Sequence, residues 1–306
     1  MPSRRSLAAV CVALAAATVA ACGSGAPPTG GADSGLTVVA TTSQVADLTR
    51  AVAGARAGVR QILRPNSDPH EYEPRPSDVK AVAGARVVVR SGGDVDEWLD
   101  GVLENAGSDA RVVTLGDAVA HREGDPHWWQ DPRNAIAAVM RIRDELIGAD
   151  GGGSAAYTAN AARYVAELRS LDRAIASCMR AIPSARRKLV TDHDALGYYA
   201  ARYGIEVIGT VIPARSTQAQ ASAGEISRLV RTIRAAGVEA IFPESSVSAK
   251  LTRAVARDAG ARVGPALYAD TLGPQGSAGE TYIGSLRFNT RALAEGFGGT
   301  GTRCQL

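Results

Sequence analysis

One long amphipathic segment, lying between two series of strand-like runs, constrains the fold more than any other feature of this chain. Between residues 154 and 182 the apolar side chains recur at steps of three and four, which places them on one face of a helix. At 1.5 Å per residue this helix would be roughly 43 Å long, and Pro183 ends it. Such a helix can run the length of a small two-lobed protein. We favour this interpretation over an ordinary helix inside one domain.

Short β-branched runs alternate with helical stretches on both sides of that segment. The predicted strands before it are 36–40, 59–63, 86–90 and 111–115, and the predicted helices are 44–52 and 95–105. The predicted strands after it are 188–191, 205–212, 238–242 and 262–269, and the predicted helices are 196–203, 223–236 and 249–259. Such alternation favours parallel β/α layers. We therefore predict an α/β protein of two β/α lobes with parallel sheets, joined by the long helix.

The start of the chain is predicted to be an export signal. Residues 1–21 combine Arg4 and Arg5 with a short apolar run and small residues before Cys22, which is the pattern of a secretory signal peptide. The residues Val-Ala-Ala-Cys that end at Cys22 also resemble a bacterial lipobox, in which the cysteine is lipidated. Simple cleavage after Ala21 is the alternative. The sequence leaves open whether export follows the general or the twin-arginine route.

The remaining chain divides into a tether, two lobes and a linking helix. Residues 22–35 have almost no apolar side chains and are predicted to be a flexible tether. We expect an N-terminal lobe at 36–150, the linking helix at 151–183 and a C-terminal lobe at 184–306. With a lipid on Cys22, the protein would be anchored to the outer face of the cytoplasmic membrane.

The charge balance limits the kinds of partner, and the cysteine content bears on the redox state of the chain. The chain has 34 basic and 31 acidic residues, and loss of Arg4 and Arg5 with the signal peptide leaves 32 against 31. This balance argues against a nucleic-acid partner, which usually requires a basic stripe. Cys178 and Cys304 remain after the signal peptide and Cys22 are set aside. In an oxidising compartment they form a disulfide or stay as two separate thiols, and we favour the disulfide.

Three of the four histidines share one local setting, at the end of a predicted strand. His70 and His127 each follow an Asp-Pro pair, His193 lies within Asp-His-Asp, and Asp270 follows the last predicted strand. Open α/β sheets bind ligands at the carboxyl ends of their strands. Neutral imidazole is a strong ligand for zinc, and a carboxylate completes a tetrahedral site. These four residues therefore predict a metal site, whereas His121 is expected to be exposed and without a role.

Acidic residues beside the histidines are candidates for a supporting role. Asp68, Asp125 and Asp194 are expected to orient the imidazole rings or to attract cations. Asp131 has a structural interpretation first, because an Asp followed by Pro132 is typical of the start of a helix.

These motifs resemble those of the zinc and manganese substrate-binding proteins of bacterial ABC transporters, the ZnuA/TroA/PsaA-like family. The matching segments occur in order along nearly the whole mature chain: DPHEYEP at 68–74, SGG at 91–93, DPHWWQDP at 125–132, TDHDALGYY at 191–199, YADTLG at 268–273 and TYIG at 281–284. The resemblance implies two lobes with the metal in the cleft between them. It implies His70 and His127 as ligands from one lobe, and His193 and Asp270 from the other. Glu244 matches a frequent family glutamate, which implies a supporting role behind the ligands.

The resemblance implies capture of a metal without chemistry. We expect a monomeric receptor that carries Zn(II), or Mn(II), to an ABC permease in the cytoplasmic membrane. The nitrogen-rich donor set favours zinc, whereas the lack of a histidine-rich loop between His70 and His127 weakens that preference. A bidentate Asp270 would serve manganese or Fe(II).

A zinc-dependent hydrolase is the alternative function, with Glu71 or Asp194 as the general base. Four protein ligands would close the site to the water that such catalysis needs. The chain also contains neither an H-E-x-x-H helix motif nor a G-x-S-x-G nucleophile motif. The receptor is therefore the preferred interpretation.

Overall fold

Four parallel strands form the sheet of the first half of the chain. They are β1 (Leu36–Ala40), β2 (Ala57–Gln61), β3 (Val87–Arg90) and β4 (Arg111–Thr114), in the order β2-β1-β3-β4. The register pairs Val38 of β1 with Val59 of β2 and Val87 of β3. The central strands are apolar on both faces because helices cover both sides of a parallel sheet. The four predicted strands are confirmed, although β2 begins and ends two residues earlier than predicted.

Four helices cover this sheet: α1 (Ser43–Ala53), α2 (Pro76–Ala83), α3 (Trp98–Ala106) and α4 (Pro132–Ala149). Two of them, α2 and α3, pack on the face that contains Val39 and Val88. The other two pack on the opposite face, around Val38 and Val87. The side chain of Asp131 accepts a hydrogen bond at the start of α4, as predicted. Sequence patterns did not predict α2 or the extent of α4.

The predicted long helix is present as α5 (Ser154–Arg180), which has 27 residues. Its length is about 40 Å at the usual rise per residue. The buried face includes Tyr157, Leu168 and Ile175, and it packs against α1 and α4. In sequence this helix lies between the two series of strands.

The second half of the chain also has parallel strands, in two pairs. They are β5 (Lys188–Thr191) with β6 (Glu206–Thr210), and β7 (Ala240–Ile241) with β8 (Arg262–Val263). A parallel bridge between Thr191 and Phe242 joins the two pairs. The last predicted strand, 262–269, was wrong in its length, since pairing stops at Val263 and resumes only as a single bridge at Leu267. Pro265 explains the gap, because proline has no N–H to donate to a strand ladder.

Four helices accompany these strands: α6 (Gly197–Tyr203), α7 (Ala223–Ala236), α8 (Lys250–Ala259) and α9 (Tyr282–Gly298). The predicted bounds of α7 are confirmed at both ends. Ser222 and Glu225 form a reciprocal capping box at its start, and Gly237 ends it with a φ of 65°. Gly260 ends α8 in the same left-handed conformation.

The two remaining cysteines form a disulfide. The Cα atoms of Cys178 and Cys304 are 5.1 Å apart and the two sulfurs are bonded. The predicted bridge is confirmed, and it fastens the end of the chain to the last turn of α5.

The structure is a computed structural model that describes residues 35–298, 304 and 306. The predicted signal peptide, Cys22 and all of the predicted tether except Gly35 lie outside the described residues. Within the described part, the helices are all too short or too polar to cross a bilayer.

Candidate metal centre

The four predicted ligand residues meet at one buried point. One donor atom from each of His70, His127, His193 and Asp270 lies within 4.8 Å of all the others. The imidazole centroids are 5.3 to 5.8 Å apart. His127 and His193 are fully buried, Asp270 is 1% exposed and His70 is 8% exposed. His121, by contrast, is exposed and outside this cluster, as expected.

The fold explains why these residues converge. His193 lies two residues beyond β5, and His127 begins the short 3-10 turn that leads into α4. His70 lies in the loop between β2 and α2, and Asp270 follows the strand bridge at Leu267. All four positions therefore follow carboxyl ends of parallel strands, where the loops of an open α/β sheet gather.

Asp270 lies at the centre of the three imidazoles. Its carboxylate oxygens are 3.3 Å from the Nε2 of His70, 3.4 Å from that of His127 and 3.0 Å from that of His193. These three nitrogens and both oxygens are buried without a hydrogen bond of acceptable geometry to any described residue. Buried polar atoms are normally hydrogen-bonded, so five unsatisfied atoms facing one point are unusual. Three imidazole nitrogens and a carboxylate are a donor set that suits a tetrahedral transition-metal ion.

Two carboxylates hold two of the imidazole rings from behind. The Nδ1 of His127 is 2.9 Å from Asp125, and the Nδ1 of His193 is 2.7 Å from Glu244. A ring that donates its Nδ1–H to a carboxylate keeps the lone pair of Nε2 free for a ligand. The expected contact of Asp125 is therefore confirmed. Glu244, and not Asp194, contacts the ring of His193, which is the supporting position that the family resemblance implied for Glu244.

Asp68 acts on the backbone of His70 and not on its ring. Its Oδ1 accepts the main-chain N–H of His70 at 2.9 Å, and its Oδ2 accepts the hydroxyl of Thr217 at 2.7 Å. The predicted ring contact of Asp68 is therefore not observed. Sequence patterns gave no signal for Thr217, which lies in a polar loop without any motif.

The backbone next to Asp270 is held by side chains from the first half of the chain. The carbonyl oxygen of Ala269 accepts hydrogen bonds from Gln44 at 3.3 Å, Trp129 at 2.9 Å and Gln130 at 2.8 Å. No sequence pattern marked any of these donors for such a role. Their contacts fix the peptide that carries Asp270 against the loops of His127 and α1.

Electrostatics couple the protonation states of the cluster. Burial works against a charge on His193, yet the carboxylates of Glu244 and Asp270 outweigh it and raise the pKa of His193 well above its ordinary value. Burial also opposes a charge on His70, and Asp270 again outweighs it, so that the pKa of His70 is raised. Burial would raise the pKa of Asp270, but the facing imidazoles of His193 and His127 hold it well below its usual range. Without a metal ion, protons on His70 and His193 therefore balance the charge of the buried Asp270 carboxylate.

The fold and this cluster define an α/β protein with parallel strands whose loops present a cation-binding donor set. Comparison with known proteins then gives its family. Residues 38–296 match the family described as zinc-uptake complex component A, periplasmic (ZnuA). The chain belongs to this family, which consists of substrate-binding receptors for metal transport and not of enzymes.

Individual relatives agree in fold and length. The manganese-binding lipoprotein MntA of Halalkalibacterium halodurans is 34% identical over 284 residues, which cover 90% of this chain and 94% of the relative. The iron ABC transporter substrate-binding lipoprotein MtsA of Streptococcus pyogenes is 30% identical over 276 residues, 85% of this chain and 88% of the relative. The periplasmic zinc-binding protein TroA from Treponema pallidum superposes with a TM-score of 0.81 at 26% identity, over 86% of this chain and 99% of that one. The predicted family and fold class are therefore confirmed.

Proposed function

We propose that the protein is an extracytoplasmic receptor that captures a divalent transition-metal ion and delivers it to an ABC permease in the cytoplasmic membrane. The observation that supports this most is the buried cluster, in which five unsatisfied donor atoms face one point. A cation there would satisfy all five at once. The names of the relatives, which include metal-binding and ABC transporter substrate-binding lipoproteins, support the same function.

The ligands in this proposal are His70, His127, His193 and Asp270. Asp125 and Glu244 support two of the rings from behind. The ion replaces the protons that His70 and His193 carry in the apo protein, so that binding is linked to proton release. The protein itself performs no chemistry on its cargo.

Zn(II) is the proposed preferred cargo, with Mn(II) and Fe(II) as the alternatives. Three imidazole nitrogens with one carboxylate suit zinc, while manganese prefers more oxygen ligands. The relatives are named for manganese, iron and zinc, so family membership alone does not select one of them.

The proposed receptor has two lobes, 36–150 and 184–306, joined by a linking helix at 151–183. Each lobe then contributes two ligands, and the ion links the lobes. The length and central position of α5 in the sequence support this division. A continuous helix between the lobes would limit the hinge motion and favour local loop movement during release.

Retention at the membrane is proposed to depend on Cys22. After removal of the signal peptide 1–21, lipid on Cys22 would anchor the chain, and 22–35 would act as the tether. The relatives MntA and MtsA are named lipoproteins, which supports this anchor. More than one acyl chain would be needed, since a single chain binds membranes only marginally.

The hydrolase alternative is not supported by the site or by the family. A catalytic zinc centre keeps one position open for water, whereas here Asp270 contacts all three imidazoles. A screen of the zinc-loaded protein with ester and peptide substrates is expected to show no turnover.

Metal analysis tests the receptor function directly. Protein purified without added metal is expected to contain one transition-metal ion per chain or to bind one on titration. Competition between Zn(II), Mn(II) and Fe(II) then identifies the cargo, and we expect zinc to bind most tightly. Absence of binding for all three ions would contradict the receptor.

A further inference from the structure

A single loop contacts all three segments that carry the histidines. It spans residues 211–222, between β6 and α7, and we call it the clasp. None of its side chains belongs to the four-residue cluster. Its contacts reach both halves of the chain.

The start of the clasp is fixed to the segment of His193. The N–H of Ile212 donates to the carbonyl of Asp192 at 2.7 Å, and the N–H of Asp194 donates to the carbonyl of Ala214 at 3.0 Å. These bonds continue the pairing of β5 and β6 beyond the ends of the strands. The clasp is therefore joined to the His193 segment through main-chain hydrogen bonds.

The middle of the clasp holds both sides of His70. The hydroxyl of Thr217 donates to Asp68 at 2.7 Å, and the other oxygen of Asp68 accepts the main-chain N–H of His70 at 2.9 Å. The side-chain amide of Gln218 donates to the carbonyl of His70. Thr217 is buried, whereas Gln218 is exposed. The backbone of His70 is thus held at both its N–H and its carbonyl.

A third contact reaches the segment that leads to His127. The guanidinium of Arg215 donates to the carbonyl of Glu123 at 2.7 Å. It lies beside Gly124, where a Cβ would be 2.6 Å from the Arg215 Nη1 atom. The clasp and this segment therefore approach each other closely.

His70 depends on such contacts more than the other two histidines. Asp125 and Glu244 fix the rings of His127 and His193 at Nδ1. Within 35–298, the structure shows no carboxylate in contact with the Nδ1 of His70. Its position depends on its own backbone, which the clasp holds, and it is the most exposed of the four residues.

We propose that the clasp controls metal release, with Thr217 and Gln218 as positioning residues for His70. This inference rests on the proposed function. When the clasp bonds are intact, His70 is kept at the site and the ion dissociates slowly. When they break, the loop of His70 swings away and the ion is left with fewer ligands. The clasp therefore sets the dissociation rate more than the association rate.

Release of Zn(II) into excess chelator, followed by stopped flow on the mature chain, tests this inference. The variants are Thr217→Val, Gln218→Ala and the double variant. A hydrogen bond of this kind corresponds to about a tenfold change in rate. We expect each single variant to release zinc about tenfold faster, with the association rate changed less than about twofold.

Two controls separate positioning from general damage. Thr217→Ser keeps the hydroxyl and is expected to release zinc as slowly as the wild type. Gln220→Ala lies in the same loop but removes a side chain for which the structure shows no hydrogen bond to a described residue, and it is expected to release zinc at the wild-type rate. Gln218 is exposed, so Gln218→Ala keeps the test valid if Thr217→Val does not fold.

The outcomes distinguish the inference from the function on which it rests. If the wild-type chain binds one zinc ion and the double variant releases it at the wild-type rate, the clasp inference is overturned and the receptor stands. The inference would also be overturned if Thr217→Ser, which keeps the hydroxyl, released zinc as fast as Thr217→Val. If the wild-type chain binds no zinc, manganese or iron, the receptor function fails, and the clasp inference fails with it.

Discussion

His193 and His70 face the same point but are held in different ways. His193 is fully buried, and Glu244 contacts both its ring and its main-chain N–H. His70 is slightly exposed, and its contacts with Asp68 and Gln218 involve only the backbone. The comparison indicates a site with two different sides. On the braced side, Glu244 fixes the ring of His193, and on the adjustable side, His70 is held only through its backbone. A receptor needs both properties, because it must bind its cargo tightly and still release it.

Removal of the braced ligand should have the largest effect. His193→Ala deletes a ligand and removes the ring that contacts the buried Glu244 carboxylate, which keeps only the main-chain N–H of residue 193. We expect zinc affinity to fall about a thousandfold or more, since metal binding energy is shared among only a few ligands. Competitive titration with a chelator measures this. The matched control is His121→Ala, which removes an exposed histidine outside the cluster and should leave affinity unchanged. Nearly wild-type affinity in His193→Ala would remove that residue from the site.

Loss of the Glu244 carboxylate should lower zinc affinity less than loss of the ligand His193. Glu244→Gln keeps the size of the side chain but loses the charge that orients His193. We expect zinc affinity to fall about 10- to 100-fold, the usual cost of losing such a partner. Asp68→Asn should weaken binding less, because Asp68 holds the backbone of His70 and not its ring. Isothermal titration of both variants sharpens the comparison, and equal losses in the two would break it.

Acid should weaken metal binding, beginning above the ordinary pKa of histidine. The raised pKa values of His70 and His193 mean that protons compete with the ion at a higher pH than for a free imidazole. We expect zinc affinity to fall already as the pH is lowered through the range just above about 6.5. Zinc affinity measured by chelator competition checks this. The measurements should cover roughly pH 5 to 8, the range in which histidine titrates. Affinity that stays constant down to the ordinary value would contradict it.

The apo protein should show the opposite trend. A histidine whose pKa is raised by folding contributes its full stabilisation when the pH is below its pKa in the unfolded chain. This contribution is lost as the pH rises through its pKa in the folded protein. Through His70 and His193, the apo protein should therefore be more stable below the ordinary pKa of histidine than above the raised pKa values of these two residues. Thermal unfolding in the presence of a chelator measures the trend, and saturating zinc should reverse it.

Loss of the disulfide should have the smallest effect on the site. Cys178 and Cys304 are not part of the cluster, and their bridge holds the end of the chain on α5. We expect the double Cys→Ala variant to lose about 2 to 5 kcal/mol of unfolding free energy. Zinc affinity should stay within about twofold of the wild-type value, a difference below half a kcal/mol. A large loss of affinity would show that the braced side depends on contacts beyond Glu244.

The sequence allowed the fold to be predicted wherever local signals and tertiary structure agree. The bounds of α7 were predicted correctly because Gly237 marks its end and the apolar spacing is regular. The last strand was predicted too long because apolar residues continue beyond Val263, while Pro265 has no N–H to donate and interrupts the pairing. Local propensity cannot show which strand ends lose their partners.

The site was predictable in part for the same reason. Each of the four cluster residues lies in a segment that follows the carboxyl end of a strand, so their meeting at one edge follows from parallel topology. The ring partner of His193 is Glu244, which is adjacent in space, and not Asp194, which is adjacent in sequence. Glu244 was predicted only through the family resemblance. Thr217 and Gln218 were not predicted at all. Their contacts depend on how the two halves of the chain meet, and no pattern in a polar loop records that.

X-ray absorption of the zinc-loaded mature protein tests the central claim most directly. The account predicts one zinc ion with three imidazole nitrogens and one carboxylate group, at metal–ligand distances of about 2.0 to 2.2 Å. His193→Ala should remove one imidazole from that spectrum, and His121→Ala should leave the spectrum unchanged. A spectrum with sulfur ligands, or with oxygen ligands and no imidazole, would contradict convergence of the four side chains on one ion.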